Sequence, residues 1–147
     1  MEKGNMQRRR WMGVLAKSPL PALEEAWAME PRPSYRFLRA PETGLVMVRG
    51  RAGGTGAPFH LGEVPVTRCT LETESGQVGT AYVMGRSHRH AELAAAFDAL
   101  MQDASAAPMI RTRVIEPLQR RYQACREAER EKVARTRVDF FTMVRGE

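Results

Sequence analysis

The sequence predicts an α+β fold in a single domain that spans residues 1–147. Three features predict this class: helical periodicity towards both ends of the chain, alternating apolar residues in its middle, and turn residues between the alternating segments. Helices and strands are grouped along the chain, which favours an antiparallel meander between helices over a parallel sheet. A length of 147 residues with 43% apolar residues suits one core.

Two helices are predicted before the sheet. The apolar stripe of the first is formed by Trp11, Val14 and Leu15. The segment 18–21, Ser-Pro-Leu-Pro, opens the second, because proline suits the first turn of a helix. The apolar face of this second helix consists of Leu23, Ala26 and Trp27. Pro31 and Pro33 end it.

The middle of the chain predicts the meander. Segments 35–38 and 45–48 are rich in β-compatible residues and predict strands. Two more strands follow, with Val64, Val66 and Thr70 in one and Val78, Thr80, Tyr82 and Met84 alternating in the other. Ser75-Gly76 between them is typical of a hairpin turn. The order of the strands stays open.

The apolar period becomes helical again at Ser87, the predicted N-cap of a third helix. Its apolar stripe is Leu93, Phe97, Leu100 and Met101. The segment 105–108 ends this helix, and Pro117 suits the first turn of a last one. The apolar stripe of the last helix is Leu118, Tyr122 and Cys125.

The net charge of +6 is concentrated near the two ends of the chain. Residues 1–13 contribute +3 and residues 113–137 contribute +4. Such a basic chain suits nucleic acid, an acidic protein or phosphorylated metabolites as partners. Nucleic acid is disfavoured and is not predicted as a partner, because aromatic residues do not alternate with the basic ones and no zinc-finger spacing is present.

Cysteine usage and hydropathy predict a cytoplasmic protein. Cys69 and Cys125 are far apart and form no C-x-x-C motif, which favours a reducing compartment. No apolar segment of a signal peptide follows the arginines at 8–10, and none reaches the length of a membrane span. No membrane partner is predicted.

Six of the twelve glycines lie in residues 44–62, and the densest part is Gly53-Gly54-Thr55-Gly56. The run matches neither the Walker motif nor the dinucleotide motif G-x-G-x-x-G. Two interpretations stay open. One is a tight bend or flexible connection between strands. The other is a backbone cradle for an anion, because glycine reaches positive φ at little cost and lets N–H groups point inward.

Three arginines favour the anion. Arg49 and Arg51 alternate to the same side of the strand that enters the run, and Arg68 lies on the strand that follows. Their guanidinium groups are therefore predicted to converge on one anion. The alternative is that each arginine pairs with a surface carboxylate.

Positive charge also crowds the start of the third helix, at Arg86, His88, Arg89 and His90. The helix dipole disfavours cations there by about 0.3–1 kcal/mol each. A bound phosphate or phosphonate would reverse this penalty, because helix N-termini bind anions. The alternative is that these side chains reach solvent or acidic residues of a neighbouring subunit.

No complete active site is recognised, and catalytic residues stay unknown. A metal held by His88, His90 and Glu92 is disfavoured because their spacing does not share one helical face, so no metal site is predicted. Neither a G-x-S-x-G motif nor a spaced Cys–His pair points to a nucleophile.

The chain has an apolar ending beyond Arg137 where most domains are polar. Four of its residues are predicted to enter a partner, since aromatic residues and methionine are favoured in interface cores. They are Phe140, Phe141, Met143 and Val144. Docking onto the chain's own core is the alternative, and an intertwined homodimer is also expected.

Seven blocks of the sequence resemble the G subunit of the bacterial carbon–phosphorus lyase system, over nearly the whole chain. They are Trp11-Met12 with Val14-Leu15-Ala16, Glu42-Thr43-Gly44-Leu45-Val46, Gly53-Gly54-Thr55-Gly56, Thr67-Arg68, Gly85-Arg86, His90-Ala91-Glu92 and the run 137–146. The last block is the most specific. Ser87 stands where the family usually has an acidic residue, and His60 and Cys69 stand where it varies, which disfavours catalytic roles for His60, His88 and Cys69.

The resemblance implies an accessory subunit of a complex in organic phosphonate catabolism. The implied reaction transfers methylphosphonate to C1′ of the ATP ribose, releases adenine and yields α-D-ribose 1-methylphosphonate 5-triphosphate. The implied partners are the core subunits I, H and J and the L subunit, with the nucleosidase chemistry on the I subunit. No cofactor of its own is expected, whereas the complex is expected to use ATP with Mg²⁺.

The alternative to an accessory role is direct binding of phosphate or triphosphate in a shared active site. The candidate substrate-binding residues lie in the blocks that resemble the family. They are Arg51, Gly53, Gly54, Thr55, Gly56, Arg68, Arg86 and His90.

Overall fold

The computed structural model describes residues 2–30 and 32–138. Helices α1 (Glu2–Lys17) and α2 (Leu20–Met29) precede strands β1 (Tyr35–Arg51), β2 (Pro58–Thr73) and β3 (Val78–Met84). Helices α3 (His88–Gln102), α4 (Ala107–Ile110) and α5 (Glu116–Arg135) follow, with a π turn at Arg111–Ile115 between the last two. This order confirms the predicted α+β class.

The sheet is an antiparallel meander in the order β1-β2-β3. The two segments predicted around Pro41 form one strand of 17 residues, β1. A proline is tolerated there because β1 lies at the sheet edge and its pairing is irregular on both sides of Arg39. The predicted hairpin turn is confirmed, since Gly76 has φ 82° and its N–H donates to Thr73 O at 2.9 Å.

The β1–β2 hairpin is much longer than the sheet that it belongs to. β3 pairs only with residues 66–72 of β2. Within the described residues, 45–51 and 58–65 therefore continue beyond β3 as a pair of strands, joined at residues 52–57. We call this two-stranded extension the ribbon and residues 52–57 its tip. The predicted glycine run thus lies at the end of an arm.

Helix α3 is the centre of the molecule. Its predicted apolar stripe is buried, but so is every residue from Leu93 to Met101. The reason is that α3 packs on the sheet with one side and on α1 and α2 with the other. At Gly79 of β3, a Cβ atom would lie 1.9 Å from Ala95 O, so the sheet and the helix backbone are in direct contact there.

A buried carboxylate joins α1 and β3 to α3. The Asp98 side chain is 0% exposed and accepts hydrogen bonds from Arg8 Nη2 at 2.7 Å and Trp11 Nε1 at 2.8 Å. It also accepts from the backbone N–H of Thr80 at 2.9 Å. Gln102 Nε2 donates to Val78 O at 2.7 Å on the same strand edge. These contacts give buried polar groups partners and cover part of the edge of β3.

Pro117 lies in the first turn of α5, as predicted, but no break in the helical backbone precedes it. Helical structure already resumes at Ala107, and Pro117 lies inside a continuous helical run. Proline has no N–H to donate to the preceding turn, and its ring crowds that turn. The π turn widens the helix just before it, with the N–H of Glu116 donating to Arg111 O.

The predicted apolar stripe of α5 holds only near its start. Leu118 is buried and Tyr122 is half-buried, but Cys125 is exposed. Every residue from Gln123 to Val138 is exposed. None of the helices described is long and apolar enough to cross a membrane.

Candidate functional site

The glycine run forms the turn at the ribbon tip. Gly53 and Gly54 have φ values of 61° and 79°, which disfavour residues with a Cβ. The N–H of Gly56 donates to Ala52 O at 2.9 Å, and a Cβ at Gly56 would lie 2.7 Å from that oxygen. The geometry of the turn alone therefore accounts for these glycines. Thr55 between them is exposed, and anion binding by this run stays a prediction.

The predicted convergence of three arginines is wrong within one chain. Arg51 is paired with Pro58, whereas Arg68 is paired with Glu42. Ten residues of extended strand separate these positions, roughly 30 Å. Arg68 Nε also donates to Glu42 Oε1 at 2.6 Å. Hydrogen bonds from Arg39 and, to a smaller extent, from Arg68 lower the pKa of Glu42.

Arg49 and Arg51 do share one side of β1, as their spacing predicts. Both are exposed, and Arg51 Nη1 reaches Gly56 O at 3.4 Å. His60 is opposite Arg49 in the register. The ribbon therefore presents two guanidinium groups next to its tip, and Arg68 is not among them.

Of the basic residues at the start of α3, Arg89 is neutralised by carboxylates of this chain. Ser87 is the N-cap, as predicted, and its Oγ accepts from His90 N at 3.2 Å. Arg89 donates to Glu24 of α2 at 2.8 Å and pairs with Glu92 at 3.1 Å. These carboxylates belong to this chain and not to a neighbouring subunit.

His90 and Arg86 have different surroundings. The Nε2 atom of His90 lies 2.9 Å from Leu15 O, so this ring links α3 to α1. Arg86 is exposed and forms no ion pair with the described residues. Of the two, Arg86 is the better placed to meet a ligand, and binding by either residue stays a prediction.

Sequence reasoning missed a tyrosine beside this helix start. Tyr35 Oη donates to Glu92 Oε1 at 2.5 Å. Burial, together with this carboxylate, raises the pKa of Tyr35 to about 12. Tyr35 and Glu92 are 57 residues apart, and only the folding of β1 against α3 brings them together.

The remaining candidate residues, which could bind a metal or act as a nucleophile, do not form a common site in the described part of the chain. Within residues 2–30 and 32–138, no three His, Cys, Asp or Glu side chains are grouped to hold a metal ion. Burial raises the pKa of Cys69 to about 11, which leaves its thiol protonated near neutral pH. The predicted interface residues Phe140, Phe141, Met143 and Val144 lie outside the described residues.

A basic cleft lies between α1 and α5, with a volume of about 620 Å³. Its positive side chains are Arg9, Arg10, Lys17, Arg126 and Arg130. Glu127 is the acidic residue that lines it. The sequence indicated this site only through the charge excess in residues 1–13 and 113–137, because helix packing decides whether those segments meet. We call it the α1/α5 cleft.

Tyr122 anchors two of these cations. Lys17 Nζ lies 5.4 Å from the centre of its ring, and Arg126 Cζ lies 5.8 Å from it. Both distances are in the range of cation–π contacts. The ring therefore holds one cation of each helix at the α1/α5 cleft.

The ribbon exposes apolar side chains. Leu45 is 60% exposed, Met47 is 52% exposed and Leu61 is 67% exposed. Val46 and Phe59 are exposed as well, and the Phe59 ring lies on the same side as Gly50, opposite to Met47. Apolar surface thus occurs on both faces of the ribbon.

This small α+β scaffold, with its exposed apolar ribbon and basic cleft, has the features of a protein that binds other molecules through its surface. The family model for phosphonate metabolism protein PhnG matches residues 6–146. The chain therefore belongs to the PhnG family of phosphonate metabolism proteins, which confirms the resemblance found in the sequence.

A curated relative agrees with this assignment. The alpha-D-ribose 1-methylphosphonate 5-triphosphate synthase subunit PhnG of Rhizobium meliloti (strain 1021) is 45% identical over 147 residues. The match covers 99% of this chain and 94% of the relative. The two proteins are thus similar over nearly their entire lengths.

Proposed function

We propose that this chain is an accessory subunit of a phosphonate ribosyltransferase complex of the cytoplasm. In this role it supports transfer of methylphosphonate to C1′ of the ATP ribose with release of adenine, while the nucleosidase chemistry and the Mg²⁺-bound ATP belong to the complex. The proposed partners are the I, H, J and L subunits. The observation that carries the proposal is the exposed apolar ribbon in a chain that is 45% identical to a named synthase subunit.

The ribbon supports a permanent partner because of its composition and position. Single exposed apolar residues are common, whereas a contiguous group marks an interaction surface. Here Leu45 and Met47 share one face of the ribbon, Leu61 lies beside Gly50 on the other face, and all three apolar side chains are more than half exposed. The ribbon has little core of its own, so burial against a partner would stabilise it. We assign the I subunit as its occupant.

The titratable groups beside α3 support an accessory role. Arg89 is shared between Glu24 and Glu92, and Glu92 also accepts from Tyr35. Groups held in mutual ion pairs position helices and are poorly suited to move protons during a reaction. A structural contribution to the complex fits these contacts best.

Replacement of Met47 by Glu tests the proposal. We expect recovery of the I subunit with the affinity-tagged chain to fall at least tenfold, because a carboxylate in an apolar interface core loses its hydration. The measurement is co-purification after expression with the I, H and J subunits. The matched control is Met29→Glu, since Met29 is 70% exposed at the end of α2 and lies outside the ribbon.

Circular dichroism of the isolated Met47→Glu chain must show an unchanged melting temperature. Wild-type recovery of the I subunit with Met47→Glu would contradict the proposal. So would a variant that dissociates a homodimer of the isolated chain and still retains the I subunit, because the ribbon would then bind a second copy.

A further inference from the structure

The α1/α5 cleft combines more positive charge than the chain itself neutralises. Five cations and one carboxylate line it, which leaves a net charge of +4. None of the five cations forms an ion pair with the residues that the structure describes. Like charges that share a concave surface repel one another and focus a positive potential. A bound anion would relieve that repulsion.

The types of side chain favour phosphate oxygens. Four of the five cations are arginines, whose planar groups donate paired hydrogen bonds to phosphate. Lys17 and Arg126 are held against Tyr122, so part of the side-chain entropy is already lost before a ligand binds. The cleft therefore has fixed donors on both of its walls.

The size and charge of the α1/α5 cleft suit more than one phosphate. A volume of about 620 Å³ exceeds what a single phosphate needs. The triphosphate group of a nucleotide carries about four negative charges near neutral pH, about −1 on each of its two inner phosphates and about −1.5 to −2 on the terminal one. This charge matches the +4 of the cleft.

We propose that the α1/α5 cleft binds the triphosphate group of a nucleotide or of a ribose 5-triphosphate. The choice of a triphosphate as the ligand rests on the proposed function. The excess of unpaired cations, which indicates an anion site, is independent of it. The site differs from the predicted anion site at the ribbon tip, and it uses none of the residues predicted there. Its role is to hold the charged end of the substrate or product.

The experiment measures binding of tripolyphosphate to the isolated full chain by calorimetry, at two salt concentrations. The cleft variant is Arg126→Ala with Arg130→Ala. The matched control is Arg120→Ala with Arg121→Ala, because these arginines lie on the same helix, are exposed and do not line the cleft. We expect the Kd to rise at least tenfold in the cleft variant and less than twofold in the control.

Two further ligands identify the source of the phosphate chemistry. ATP and inorganic phosphate are titrated separately, and we expect inorganic phosphate to bind at least tenfold more weakly than tripolyphosphate. Tighter binding of ATP than of tripolyphosphate would assign a nucleotide as the ligand. Equal binding of the two would assign the triphosphate group alone.

Three results would overturn the inference. They are an absence of saturable binding at low salt, equal weakening in the cleft and control variants, and weakening by Arg49→Ala with Arg51→Ala instead. If the wild-type chain does not bind tripolyphosphate and the cleft variant fails to co-purify with the I subunit, the cleft is instead a binding site for an acidic protein. Met47→Glu must leave tripolyphosphate binding unchanged, so the cleft and the ribbon can fail independently.

Discussion

Cys69 and Cys125 have opposite environments. Cys69 is 0% exposed and faces α3 from β2, whereas Cys125 is exposed on α5. Burial, with a smaller contribution from Glu92, raises the pKa of Cys69 to about 11 from the ordinary thiol value of 9.0. The reactive thiolate is the form that becomes scarce when a pKa rises.

This difference predicts selective alkylation. At pH 8 about one Cys69 thiol in a thousand would be ionised, because this pH is about three units below the pKa of the thiol. We expect iodoacetamide to modify one thiol per native chain and two per urea-unfolded chain, by mass spectrometry. Native Cys125→Ser should stay unmodified over the same time, and its rapid labelling would contradict the burial of Cys69.

Asp98 predicts a large loss of stability on substitution. Asp98→Ala leaves the Trp11 indole N–H and the Thr80 backbone N–H without their acceptor. Each buried donor without a partner costs about 1–3 kcal/mol. We expect the free energy of unfolding in urea to fall by about 2 kcal/mol or more. Asp103→Ala, in a turn, should have a much smaller effect, and equal losses would contradict the role of Asp98.

Local residue roles were predictable where neighbouring residues decide them. Ser87 was recognised as an N-cap because its hydroxyl bonds an N–H three residues further on. The partners of Arg68 and Asp98 were not, since both interactions depend on strand register and helix packing. The predicted convergence of Arg68 with Arg51 failed for the same reason.

At the scale of elements, Gly79 sets how closely α3 approaches the sheet. A Cβ there would lie 1.9 Å from Ala95 O and 2.8 Å from Ala99 N. Both are backbone atoms, so the whole helix would have to shift. The alanines of α3 and this glycine thus form one closely packed contact.

Gly79→Ala is therefore expected to destabilise the chain by about 1–3 kcal/mol, the usual effect of overpacking. The readout is the melting temperature by circular dichroism. Gly44→Ala is the matched strand control, because no heavy atom lies within 4 Å of a Cβ placed there. A melting temperature unchanged by both substitutions would show that the α3–sheet contact is looser than described.

Element types were easier to predict than element lengths. Alternation indicated the strands, but Pro41 concealed that the predicted strands 35–38 and 45–48 form one strand of 17 residues, and the glycines concealed that β2 begins at Pro58 and has 16 residues. The stripe on α3 was correct yet incomplete, because alanine is compatible with both exposed and buried positions. Pro117 correctly indicated the first turn of α5, but the sequence did not indicate the π turn that joins α5 to the helix before it.

At the scale of the whole molecule, the two basic ends of the sequence become one surface. Residues 1–13 and 113–137 are 99 residues apart along the chain, yet α1 and α5 form the two walls of the same cleft. The ribbon likewise forms from two segments of the chain, because the second half of β1 pairs with the first half of β2. The charge distribution indicated the basic surface, whereas the exposed apolar ribbon was not predicted from the sequence and follows only from the fold.

The ribbon also has a consequence for the cell that makes this chain. In the part of the chain that the structure describes, β1 is an edge strand and residues 58–65 of β2 pair with no strand on their second side, so backbone N–H and C=O groups on both edges have no strand partner there. Exposed apolar strands with open edges pair readily with copies of themselves. Balanced synthesis of this chain and its partner subunits is then a safeguard against aggregation, as surplus chains would have only one another to cover these edges.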